Sequence, residues 1–169
     1  MAETLTGGTR HDPASRGTLF GRDGDDKIHA GGGASVLVGG KGDDELHAGK
    51  KSDILIGGAG CDHLHGGLSD DLLIAGFTDF DGNLTALQAL QAEWTCTDAM
   101  YQQKVAHLTG GATGGKNGTF FLTADTVHDD GDTDTLISRD DLDLIFAHLG
   151  KEPKDMVHGL DDGKIVVEI

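Results

Sequence analysis

Between Gly21 and Ile74 the chain alternates glycine-and-acid stretches with three-residue segments that have an apolar centre. Set in register, six consecutive nonapeptides read GRDGDDKIH, AGGGASVLV, GGKGDDELH, AGKKSDILI, GGAGCDHLH and GGLSDDLLI. Position eight is always Ile or Leu: Ile28, Leu37, Leu46, Leu55, Leu64 and Leu73. Position six is Asp26, Asp44, Asp53, Asp62 and Asp71, with Ser35 the exception. A flexible Gly-rich linker has no reason to keep one apolar position through six copies, so these segments read as short strands. Side chains alternate along a strand, which turns position eight one way and positions seven and nine the other. Those flanking positions change in every second copy. Odd copies carry Lys27/His29, Glu45/His47 and His63/His65, whereas even copies carry Val36/Val38, Ile54/Ile56 and Leu72/Ile74.

The nonapeptide resembles the Gly-Gly-x-Gly-x-Asp-apolar repeat of RTX, or haemolysin-type, calcium-binding proteins, a repeat that builds parallel β-helices. The resemblance implies a mainly β fold: a short parallel β-roll, or β-solenoid, capped by a small helical and irregular C-terminal subdomain. In such a roll six residues turn and hold Ca²⁺, three form a strand, and two repeats complete one coil. Each ion is implied to sit between stacked turns, with one Asp from each and carbonyls from positions one to four. Carried onto this chain, the ligands are Gly21, Asp23, Asp26, Gly39, Gly40, Lys41, Gly42, Asp44, Gly58, Gly60 and Asp62 on the odd side. Asp53 and Asp71 form the even-side site. Turn chemistry agrees independently, because glycine permits positive φ and carboxylate with carbonyl oxygen is the hard environment that Ca²⁺ prefers. Position four is glycine in every odd copy (Gly24, Gly42, Gly60) but Gly33, Lys50 and Ser69 in the even ones. The odd-side turns are therefore expected to bind better.

Two strands per coil also explain the alternation. Odd repeats would form one sheet and even repeats the other, with residues eighteen apart stacked at roughly the 4.7–4.9 Å strand spacing. Three successive apolar pairs on the even sheet would make a patch that soluble monomers avoid, so that face must be covered, by the chain itself or by a second copy in a dimer.

Beyond Ala75 the period changes. Leu84, Leu87, Leu90 and Trp94 share one helical face, with Asn83 or Asp81 placed to cap. Tyr101, Val105 and Leu108 mark a second short helix from near Thr97 to Gly110, and "TFFLTADTV" reads as extended. These helices are the expected cover. The stretch "DDGDTDTLISRDDLDLIFAHLG" supports two metal readings, beside that of a solvated acidic loop. One is an EF-hand-like loop with Asp130, Asp132, Asp134 and Asp141 as ligands, followed by a helix over 142–149. The other is a decayed pair of nonapeptides, with Asp134 and Asp143 nine apart and Leu136 and Ile145 inward. The order of TDFD, two helices, TVHDDG and a last acidic repeat resembles C-terminal modules of large bacterial RTX proteins, which adds Asp79 and Asp81 to the expected metal residues. The organisation read from sequence is a partly disordered lead-in over 1–20, a calcium-binding roll over 21–76, and a helical cap with a second acidic calcium-binding loop over 77–169.

A formal charge of −16 disfavours nucleic acid and leaves cations as natural partners. No apolar run suggests membrane insertion, and the first residues do not read as a signal peptide. The family resemblance implies a secreted, calcium-rich setting reached by a type I route with an uncleaved C-terminal signal, for which "DDGKIVVEI" is the candidate. Cys61 and Cys96 allow one bridge without requiring it. No nucleophile elbow, HExxH helix, Walker loop or CxxC pair is present, so a binding module is expected rather than an enzyme. Two alternatives to calcium remain. His29, His47 and His65 recur every eighteen residues, with His63 alongside, and imidazoles suit Zn²⁺, Cu²⁺ or Ni²⁺, although a plain solvated ladder gives the same pattern. The other is an adhesion or interaction module.

Overall fold

The structure is a computed structural model that describes residues 4–6, 17–139, 141–151, 154–161 and 163–169. It consists mainly of strands in parallel sheets with two short helices, consistent with a parallel β-roll. The first eight strands are β1 (Thr4–Thr6), β2 (Gly17–Asp23), β3 (Lys27–His29), β4 (Ser35–Lys41), β5 (Glu45–His47), β6 (Ile54–Ala59), β7 (His63–His65) and β8 (Leu72–Ile74). An insertion follows, with β9 (Phe77–Thr78), α1 (Leu84–Trp94), α2 (Tyr101–Leu108) and β10 (Val127–His128). The chain then adds β11 (Thr135–Ile137), β12 (Leu144–Ala147), β13 (Met156–His158) and β14 (Ile165–Glu168).

The register follows the eighteen-residue period. Lys27, Glu45 and His63 stack in one sheet, ordered β1-β3-β5-β7-β11-β13, and Val36, Ile54 and Leu72 in the other, ordered β14-β12-β8-β6-β4-β2. Position eight fills the space between the sheets: Ile28, Leu37, Leu46, Leu55, Leu64 and Leu73 are fully buried in one cluster with Leu136 and Ile145. The sheets do not end at residue 76. β2 carries the pattern upstream, pairing Leu19 with Leu37. After the insertion, Leu136 stacks on Leu64 and Ile145 on Leu73. The decayed-repeat reading therefore describes this segment, and the helix expected over 142–149 is replaced by strand β12. The reason is period: Leu136 and Ile145 keep the inward position of a nonapeptide, and β12 buries all four of its residues. Of the expected lead-in, residues 1–3 and 7–16 lie outside the described residues.

The apolar face of the second sheet is covered by the chain's own helices. Val36, Val38, Ile54, Ile56, Leu72 and Ile74 form one cluster with Leu87, Leu90, Trp94, Val105 and Leu108. That face is therefore packed against the same chain. Leu84, expected in the cover, is 49% exposed. Helix α1 starts at Asn83, whose side chain accepts from the Ala86 N–H, and Asp81 instead accepts from Thr78. The stretch 119–127 is turn, bend and irregular backbone rather than a continuous strand, and of it only Val127 enters a strand, β10, which pairs antiparallel with β9.

Three side chains fasten the cover to the turns beneath it. Gln91 Nε2 donates to the Ala34 carbonyl at 3.0 Å, Trp94 Nε1 to that of Asp70 at 2.9 Å, and the Tyr101 hydroxyl to that of Asp143 at 2.8 Å. Trp94 thus combines a fully buried ring with a satisfied N–H. Trp94→Ala should cost about 3–5 kcal/mol of stability in urea unfolding and promote association through the uncovered sheet. An unchanged midpoint with a monomeric variant would contradict the cover.

Candidate metal centre

The turns between strands differ on the two sides although their sequences share a period. Preceding the polar sheet, positions two and four both take positive φ: Gly40 and Gly42 at 123° and 122°, Gly58 and Gly60 at 117° and 125°. A Cβ on Gly40 would run into the Arg22 carbonyl oxygen, and one on Gly58 into that of Gly40, so the backbones stack too closely for a side chain. Arg22 holds the same conformation, with φ at 90°, at a cost of about 1–2 kcal/mol.

Position six then builds a column. The Asp26 N–H donates to Asp44 Oδ1 at 2.6 Å, that of Asp44 to Asp62 at 2.8 Å, that of Asp62 to Asp134 at 2.7 Å, and that of Asp134 to Asp155 at 2.9 Å. All five carboxylates are buried. Their second oxygens are what matters. Asp44 Oδ2 and Asp62 Oδ2 are buried and accept no hydrogen bond from the protein. They lie against the position-one glycines beside the carbonyls of the next layer. A Cβ on Gly21 would stand 2.6 Å from both Asp26 Oδ2 and the Gly39 carbonyl oxygen, and one on Gly57 would stand 2.5 Å from Asp62 Oδ2.

The even-side column is built alike but closed. Ser35 N–H donates to Asp53 Oδ1 at 2.6 Å, and those of Asp53 and Asp71 donate to Asp71 and Asp143 at 2.7 Å each. Here the second oxygens are occupied: Gly49 and Gly67 N–H reach those of Asp53 and Asp71 at 2.7 Å each, and the Ser138 hydroxyl donates to that of Asp143. In the last even turn Lys164 stands where the column would have an acid. Its buried ammonium donates to the carbonyls of Arg139 and Gly159, a cation supplied by the protein itself.

Electrostatics report the same strain. Burial, reinforced by the carboxylates of Asp134, Asp44 and Asp130, pushes Asp62 up to about 9. Burial likewise raises Asp134 to about 8, and Asp44 and Asp53 to about 6. Asp71 goes to about 8, from burial with Asp53 and Asp143 beside it. A column of buried carboxylates with unshared oxygens, facing glycine-lined backbone carbonyls, fits a hard cation by both charge and donor type.

The remaining expected residues are placed elsewhere. Asp130 accepts from the Gly60 and Asp132 N–H groups, and Asp141 from that of Ser69, so each braces a turn instead of forming an EF-hand loop with Asp134. Asp79 meets His128 at 3.0 Å and Asp81 accepts from Thr78. Asp23 and Lys41 are exposed neighbours in the β2–β4 register. Asp155 and Gly57 join the odd-side turns although the sequence reading did not select them. His29, His47 and His65 do form a ladder on the polar sheet, while His63 is exposed beside it. Burial and then the neighbouring His47 hold His29 and His65 below the usual imidazole range. Cys61 and Cys96 are both free thiols, one exposed and one buried.

Stacked glycine turns that carry buried carboxylate columns between two parallel sheets present the oxygen donors that a hard cation takes. Residues 20–50 and 47–78 match the RTX calcium-binding nonapeptide repeat (4 copies), and this segment carries those repeats. No match was found among curated proteins or solved structures.

The raised carboxylates set a pH dependence for the metal-free chain. Unfolded, these groups release protons near pH 4, whereas in the fold they keep them to about pH 6–9. The native state then binds more protons than the unfolded state, so stability is lost as pH rises through that window. In chelator the urea midpoint should fall progressively from about pH 5 to about pH 9. A midpoint that is flat or rises over this range would contradict the column.

Proposed function

We propose that this chain is a calcium-binding β-roll module of a secreted bacterial protein, whose repeats order when calcium is bound. The single observation that carries the reading is the pair of orphaned, buried oxygens on Asp44 and Asp62 within a continuous carboxylate column. Bound Ca²⁺ would supply the positive charge and the demand for oxygen donors that such a column lacks. The chain's part is geometric. Glycines at positions one, two and four let the carbonyls approach, each Asp joins its own turn to the next through Oδ1, and position eight locks the layers together. Because the site needs stacked turns that the unfolded chain does not have, binding energy is folding energy.

The odd side is the binding side in this reading, with Asp26, Asp44, Asp62 and Asp134 as carboxylate donors. The even side is held by Gly49, Gly67, Ser138 and Lys164, and by the carbonyl contacts of Gln91, Trp94 and Tyr101. RTX repeats are typical of secreted bacterial proteins, and extracellular calcium sites operate at about 10⁻⁴–10⁻³ M, which suits an exported module rather than a catalyst. Among the described residues no helix is long and apolar enough to cross a membrane. The C-terminal stretch read as an export signal supplies strand β14, which pairs with β12 at the sheet edge.

Calorimetric titration with Ca²⁺ tests the ranking. Asp44→Asn should remove more bound Ca²⁺ than Asp53→Asn and raise the calcium concentration needed for β structure in far-UV circular dichroism. Equal losses, or a larger loss at Asp53, would contradict it.

A further inference from the structure

The polar sheet brings together residues that the carboxylate column does not use. One donor atom from each of Glu45, His47 and His65 lies within 4.8 Å of the others. His47 stacks between His29 and His65 with ring centroids 4.5 Å apart on both sides and planes 12° and 8° from parallel. Glu45 is drawn to the same point. Its Oε2 accepts from Lys27 Nζ at 2.6 Å, which leaves Oε1 turned along its own strand to His47 Nε2 at 2.5 Å. Adjoining them is a cavity of about 440 Å³ lined by Asp43, Asp44, Glu45, Cys61, His63 and His65.

This donor set differs in kind from the column. Two imidazoles with one carboxylate suit Zn²⁺ and its neighbours in the first transition row, whereas Ca²⁺ takes oxygen. With zinc bonds of about 2.0–2.1 Å, tetrahedral donors stand roughly 3.4 Å apart. Binding would turn the His47 and His65 imidazoles out of their stack, by rotation about side-chain bonds on a half-buried sheet face, so that their in-plane lone pairs meet at one ion. A solvated histidine ladder would not need a carboxylate folded back onto its middle ring.

We infer that the polar sheet carries a zinc-class transition-metal site ligated by Glu45, His47 and His65, with its fourth position open to the cavity lined by Cys61 and His63. The site joins β5 to β7, which pair directly and whose preceding turns are linked by the Asp44–Asp62 hydrogen bond. It therefore rests on the calcium reading, in which calcium orders those turns and the strands that follow them.

The full chain saturated with Ca²⁺ and titrated calorimetrically with Zn²⁺ should bind one equivalent. His47→Ala and His65→Ala should each weaken that binding roughly tenfold or more. His158→Ala, on the same sheet but separated from His65 by Ile137, should leave it unchanged. Co²⁺ added to the wild-type chain reads the coordination without any variant, and the intense visible absorption of a four-coordinate ion is expected. Zn²⁺ binding that is absent, or unaltered in both histidine variants, overturns the site, as does a weak six-coordinate Co²⁺ spectrum. Absence of heat and of β structure in the preceding Ca²⁺ titration would instead count against the calcium reading.

Discussion

Burial of stacked carboxylates is the constraint on which the rest of this structure depends. Successive layers of a parallel sheet are separated by less than 5 Å. A turn that repeats its acid in every coil must therefore stack like charges at a distance where water would normally screen them. In the odd column burial removes that water, and Asp62 shows the consequence most strongly, being pushed up to about 9. The backbone offers each Asp one N–H from the layer before it, which satisfies a single oxygen. The other oxygen needs a proton or a cation. In the proposed reading, that choice couples folding to the ionic surroundings.

The two sides of the stack resolve the same problem differently. On the even side the protein provides the donors: glycine N–H groups, the Ser138 hydroxyl and the Lys164 ammonium. The inserted helices lie over this side's strands, and their Gln91, Trp94 and Tyr101 occupy carbonyls of its turns. On the odd side the second oxygens of Asp44 and Asp62 have no such donor, and glycine conformations keep the backbone close-packed. One side thus supplies its own donors, and the other leaves the buried second oxygens of Asp44 and Asp62 without one. The insertion between β8 and β11 does not interrupt the stack, because Thr135 continues directly beneath His63.

The repeated part of this fold was legible because each layer restates it. Position eight needed only its Ile and Leu to be placed inside, and the alternation of Val36/Val38 with Glu45/His47 identified which sheet required a cover. The side-by-side difference in turn chemistry could be suspected from Gly42 against Lys50. The hydrogen bonds that close the even column could not, because Gly49 and Ser138 look like ordinary turn residues until the coil brings them to an acid. Past the insertion the period loosens. Asp143 and Asp155 are twelve apart rather than nine, so the last layer escaped a search by spacing. A helix over 142–149 follows only from the EF-hand-like reading of the acidic loop, and pairing of Leu144 and Ile145 with Leu72 and Leu73 on β8 makes residues 144–147 a strand.

The most direct test of the central claim is a crystal structure of the chain grown with Ca²⁺, with the ions located by anomalous scattering. The account predicts ions in the odd-side turns, in contact with the second carboxylate oxygens of Asp44 and Asp62, and none against Asp53 or Asp71. Ions confined to the even side, or an odd column in which those oxygens are satisfied without a cation, would contradict it.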